Sequence, residues 1–131
     1  MTITPHPTPR RTITNIALWA LQVIVAGFFL MSAVAKFTGA EPAASTFEEI
    51  GWGDWFRYLI GALEAAGVAG LLIPRLAGAA GLGLAGLMVG ATLTEAFVTG
   101  GGVVLPLALL VLSAVIAWGR REGVRALVTR R

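Results

Sequence analysis

LAGAAGLGLAGLMVGATLTEAFV, running from Leu76 to Val98, can be read in two incompatible ways. Within it, Gly81-Leu82-Gly83-Leu84-Ala85-Gly86 matches G-x-G-x-x-G, the turn that cradles a dinucleotide pyrophosphate. That turn works only where a strand hands over to a helix N-terminus. No strand pattern precedes it here. The run is continuously apolar and long enough to cross a bilayer core of roughly 30 Å, which takes about 20 residues at 1.5 Å each. The glycines therefore read as a helix-packing face. Gly78 and Gly90 extend the series, and Gly86/Gly90 form the GxxxG spacing that lets helix backbones approach closely in lipid. The same face offers itself for packing within the chain or for a homo-oligomer.

Three further runs of this kind surround it. The first spans about Ile16 to Ala35, interrupted only by Gln22 and Ser32, and the second about Phe56 to Ile73, with Arg57 and Glu64. Pro74-Arg75 turns the chain into the run from Leu76 to Val98, and the fourth extends from Val103 to Trp118. Pro106 falls in its first turn, where a missing N–H costs little. Ala33-Val34-Ala35 resembles a signal cleavage site, but the apolar stretch before it is longer than a signal core, so the helix is expected to be retained. Open strands cannot satisfy their backbone in lipid, so the expected fold is all-α: a four-helix transmembrane bundle forming a single membrane domain over residues 1–131.

Composition agrees. Hydrophobic residues make up 56% and charged ones 13%, with a mean hydropathy of +0.81. Cysteine is absent and the one histidine, His6, lies in a Pro/Thr-rich tail, so no metal site and no thiol chemistry are expected. The pI of 10.6 suggests nucleic acid, but the placement of the basic residues argues against it. Arg10, Arg11, Arg75, Arg120, Arg121, Arg125, Arg130 and Arg131 fall on one side of the membrane, whereas Lys36 and Arg57 fall on the other with Glu41, Glu48, Glu49 and Asp54. By the positive-inside rule, residues 1–12 and 120–131 are basic cytoplasmic tails and the partner is a lipid bilayer. In the long first extracytoplasmic loop, Ser45-Thr46-Phe47-Glu48 has the S-x-x-E pattern of a capping box, predicting a short interfacial helix.

An ionisable side chain within a span needs a partner or a task. Glu64 lies about 9 residues inward from Trp55, roughly 14 Å deep. Arg57 is two turns away along the same helix, too far for a direct bond. Lys36 closes the first span and Glu95 nearly closes the third at similar depth, so Lys36 can pair with either Glu95 or Glu64, and Thr92 can donate to the same cluster. The expectation is a polar pocket in the outer half, lined by Lys36, Glu64 and Glu95, with Trp52, Trp55 and Tyr58 around its mouth. The alternative is an ion pair that only fixes helix register.

The pattern Gly27…Lys36, then the aromatic loop, then Leu63-Glu64-Ala65-Ala66-Gly67…Leu71-Leu72-Ile73-Pro74 and Leu87-Met88-Val89-Gly90-Ala91-Thr92 resembles the DoxX-like family. The resemblance runs from about Ile16 to Gly119, and Lys36 and Glu64 fall where the family tends to carry the same residue types. Near Glu95 related sequences often have a histidine, so no imidazole role carries over. The resemblance implies a multi-pass protein of the bacterial inner membrane, a non-catalytic subunit associated with a membrane oxidoreductase. The pocket supports a second reading, a binder or carrier of a quinone or lipid. No nucleophile, metal cluster or phosphate loop accompanies the carboxylates, so no catalytic residue and no intrinsic cofactor are expected.

Overall fold

The computed structural model describes residues 9–41, 43–100, 102–122 and 125. Among them there is no strand, as the all-α expectation required. The helices are α1 (Pro9–Thr38), α2 (Ala43–Ile50), α3 (Asp54–Leu71), α4 (Ala77–Thr94) and α5 (Val104–Gly119), with a π-helical turn, Glu95–Thr99, continuing α4. Helix α1 begins ahead of the apolar run, at Pro9, because proline's fixed φ suits a first helical position and its missing N–H would be unpaired there anyway. The end of the expected N-terminal tail is thus helical. Residues 1–8, with His6, and most of the tail beyond Glu122 lie outside the described residues.

The short loop helix is present as α2, but its cap differs from the expected one. It begins at Ala43, before Ser45, and the carboxylate of Glu41 accepts from the Ser45 N–H at 3.3 Å and from the Ser45 hydroxyl. A carboxylate outside the first turn takes the free N–H that the Ser45–Glu48 pair was expected to manage. At the other ends, Gly39 and Gly100 close α1 and the π turn with φ of 72° and 66°, the left-handed conformation that glycine adopts without a steric penalty.

Two stretches are long and apolar enough to cross a membrane, Thr12–Thr38 and Ala77–Thr99. Helix α5 is apolar but shorter, and α3 carries Asp54, Arg57 and Glu64. Helix α1 packs along α3 and touches α5; α4 packs closely on α5 and less extensively on α3; α2 lies against α1, α3 and the π turn. The shared core is small: Val25, Ala26 and Phe29 from α1, Val68 and Leu71 from α3, Leu84 and Met88 from α4, Leu109 and Ile116 from α5. Many large apolar side chains point outward instead, with Met31 73% and Phe97 81% exposed. Each would forfeit about 25 cal/mol per Å² in water, and nothing in lipid.

The glycines of α4 divide between two environments. Gly78 and Gly81 are buried, and a Cβ on Gly81 would stand 2.8 Å from the Ser113 carbonyl and 3.0 Å from the Ala117 nitrogen. Bare backbone is what lets α4 and α5 close. At Gly83, Gly86 and Gly90 a Cβ would meet nothing within 4 Å. The packing expected of the whole series holds for its first part only; the rest faces a cavity.

Candidate functional site

Helical spacing puts Ser32 and Lys36 one above the other on α1, and α3 presents Glu64 to both. The Lys36 ammonium lies 2.9 Å from Glu64 Oε1 and donates to Ser32 Oγ at 2.6 Å. The Ser32 hydroxyl lies 3.0 Å and 3.2 Å from the two Glu64 oxygens. Glu64 is 1% exposed and the Lys36 side chain 13%. Two features allow the contact. A Cβ on Gly61 would sit 3.1 Å from Lys36 Cβ, so the missing side chain brings α1 and α3 together. From above, α2 places the Phe47 ring 5.9 Å from the ammonium, within cation–π range.

The pair forms one polar end of a cavity of about 1140 Å³ between α1, α3 and α4. Phe47, Ile50 and Phe56 border it beside α2; Leu63, Ala66, Gly67 and Gly70 of α3 and Gly83, Gly86, Leu87 and Gly90 of α4 carry it down to Leu76. Its polar lining consists of Ser32, Lys36, Thr46, Glu64, Thr94 and Glu95.

The expected site residues are only partly brought together. Lys36 pairs with Glu64, not Glu95. Glu95 opens the π turn and lines the same cavity, accepting from the Thr99 hydroxyl at 2.8 Å. The Thr92 hydroxyl donates to Met88 O of its own helix at 2.7 Å and does not join the cluster, because a threonine in a helix reaches the carbonyl one turn back more readily than another helix. Trp52, Trp55 and Tyr58, expected around the mouth, are exposed and do not line the cavity. The two tryptophans pack around Phe56, and Tyr58 stacks on Phe37. The three aromatic residues in the first turns of α3, Trp55, Phe56 and Tyr58, point in different directions, and Phe56 is the one that lines the cavity. Arg57 leans towards Gly39 and its guanidinium lies 5.0 Å from the Tyr58 ring.

Two groups of functional interest escaped the sequence reading. Ser32, treated as a mere interruption, bridges the pair; its i, i+4 spacing from Lys36 was the available signal. The second group lies at the opposite end. Gln22, fully buried, donates to Leu71 O at 2.8 Å and accepts from Arg120 Nε at 2.7 Å. Arg120 also donates to Asn15 Oδ1 at 2.8 Å and lies over Trp19, 5.8 Å from the ring centre. A carbonyl left free at the end of α3 is thereby satisfied. Partial burial lowers the Arg120 pKa below its ordinary value, since desolvation disfavours the cation. The Gln22 and Asn15 oxygens offset that cost. Nothing in local sequence couples Gln22 to Arg120, which expectation had assigned to a tail.

Among the described residues, an all-helical fold with outward-facing apolar side chains, two membrane-length helices and an ion pair held between helices marks a small membrane protein. Residues 20–116 match the DoxX-like family, and the chain belongs to it. Neither a curated protein nor a solved structure matches the chain.

Proposed function

We propose that this DoxX-like protein crosses the membrane four times, through α1, α3, α4 and α5, and holds a small amphipathic molecule, such as a quinone or a lipid, in the cavity beside Lys36 and Glu64. In this reading it sits in the bacterial cytoplasmic membrane with both termini inside and α2 on the outer face. Arg75, Arg120, Arg121 and Arg125 against Glu41, Glu48, Glu49 and Asp54 support that orientation.

The observation that carries the proposal is an apolar cavity of about 1140 Å³ bordered by a buried, hydrogen-bonded ion pair. Ligand sites characteristically combine apolar walls with a few convergent polar groups. A pair serving only to fix register needs no cavity beside it. The role in this reading is binding or carriage: the Ser32 hydroxyl and the Lys36 ammonium beside Glu64 are engaged with it and with each other. The subunit role implied by the family resemblance is the rival.

Native mass spectrometry of the protein released in mild detergent separates the two. A stoichiometric amphiphile that disappears in Glu64→Gln supports the binding role. A bare chain, or one emerging with a second polypeptide bound, overturns it in favour of the subunit.

A further inference from the structure

We propose that the bound amphiphile carries a cationic, amine-type head that pairs with Glu95, while its chain lies over Gly83, Gly86 and Gly90; this rests on the cavity reading above. Three ionisable groups line the cavity: Lys36, Glu64 and Glu95. Lys36 and Glu64 neutralise each other at 2.9 Å, leaving one carboxylate in excess. Glu95 accepts from Thr99, but among the described residues no lysine or arginine forms an ion pair with it. A carboxylate without a counter-ion beside apolar walls favours a cation arriving with the ligand.

The other head chemistries fit less well. An anionic head would meet the surplus carboxylate, and it could take Lys36 only by stranding the buried Glu64. A neutral head would leave Glu95 uncompensated.

The chain has a path of its own. Gly83, Gly86 and Gly90 line the cavity, and a Cβ at each would meet nothing within 4 Å. Their spacing of three and four residues makes one strip along α4. From Gly83 to Glu95 the helix rises roughly 18 Å, enough for a single extended alkyl tail with its head at Glu95.

The test uses the full chain in a non-ionic detergent, with dodecylamine, dodecanol and dodecanoate as probes in calorimetric titrations at neutral pH. Dodecylamine is expected to bind about tenfold tighter than dodecanol, the margin of one hydrogen-bonded charge pair, with dodecanoate weakest. Glu95→Gln removes the margin of amine over alcohol and leaves dodecanol binding in place; Glu95→Asp retains the preference. Gly86→Leu, which fills the path of the chain, abolishes binding of all three. Equal binding of amine and alcohol, or a margin that survives Glu95→Gln, overturns the inference and leaves the cavity reading standing. If no probe binds the native chain, both fail. Should Glu95→Gln not fold, the ranking on the native chain decides alone.

Discussion

Helix α1 carries two polar clusters on one buried stripe, and they are built for different purposes. The stripe runs Gln22, Val25, Ala26, Phe29, Ala33 and Lys36, with roughly 21 Å between its polar ends. At the Gln22 end every polar contact is absorbed internally: a glutamine, an arginine and a helix-terminal carbonyl tie α1, α3 and α5 together, and none of them borders the cavity. At the Lys36 end an ion pair of similar burial faces about 1140 Å³ of mostly apolar space. A satisfied buried network holds helices in place, whereas a polar group bordering apolar space can receive a ligand. Burial alone does not distinguish the two; what lies beside the buried group does.

The comparison breaks first at the Lys36 end. Lys36→Met strands the Glu64 carboxylate and should cost about 3 kcal/mol, the usual loss when one member of a buried pair is removed. Thermal unfolding in detergent measures it. Lys36→Met with Glu64→Leu should recover most of that stability, while any retained amphiphile is lost; a double variant that remains as unstable as the single one argues against the pair as the unit. At the other end, Gln22→Leu removes the partners of Leu71 O and of Arg120 Nε, though Asn15 still holds the guanidinium, and should cost about 2 kcal/mol. Amphiphile retention should be untouched, and its loss would mean that the two ends are coupled.

Within α4 a pair of glycine substitutions sharpens the same contrast. Gly81→Ala pushes a methyl group into the α5 backbone and should destabilise by about 1–2 kcal/mol, because neither backbone can yield cheaply. Gly86→Ala meets open space and should be neutral, or stabilising by up to about 1 kcal/mol through helix propensity. Equal losses at the two positions would mean that Gly86 also packs against a partner, as a second copy of the chain would provide.

Much of this was legible in the sequence. The apolar runs gave the helices, the S-x-x-E pattern pointed to α2 even though Glu41 supplies the contact, and the charges within or closing apolar runs singled out Lys36 and Glu64. Trp52, Trp55 and Tyr58 were misplaced because aromatic residues near a membrane boundary are equally good anchors and pocket walls. Which way Trp55 and Tyr58 turn depends on how far α3 rotates about its axis. Ser32 was overlooked because a serine within an apolar run is unremarkable until a carboxylate from another helix comes to meet it.

The sequence by itself determined the class of protein and the apolar runs that become helices, because both follow from local spacing and composition. Only the tertiary structure decided that Lys36 meets Glu64 and not Glu95, that Gln22 reaches Arg120, and that one glycine series packs at one end and opens a cavity at the other. A helix's period specifies which of its residues share a face. Which neighbour that face meets, and how closely, is settled by the packing of side chains far apart in the chain.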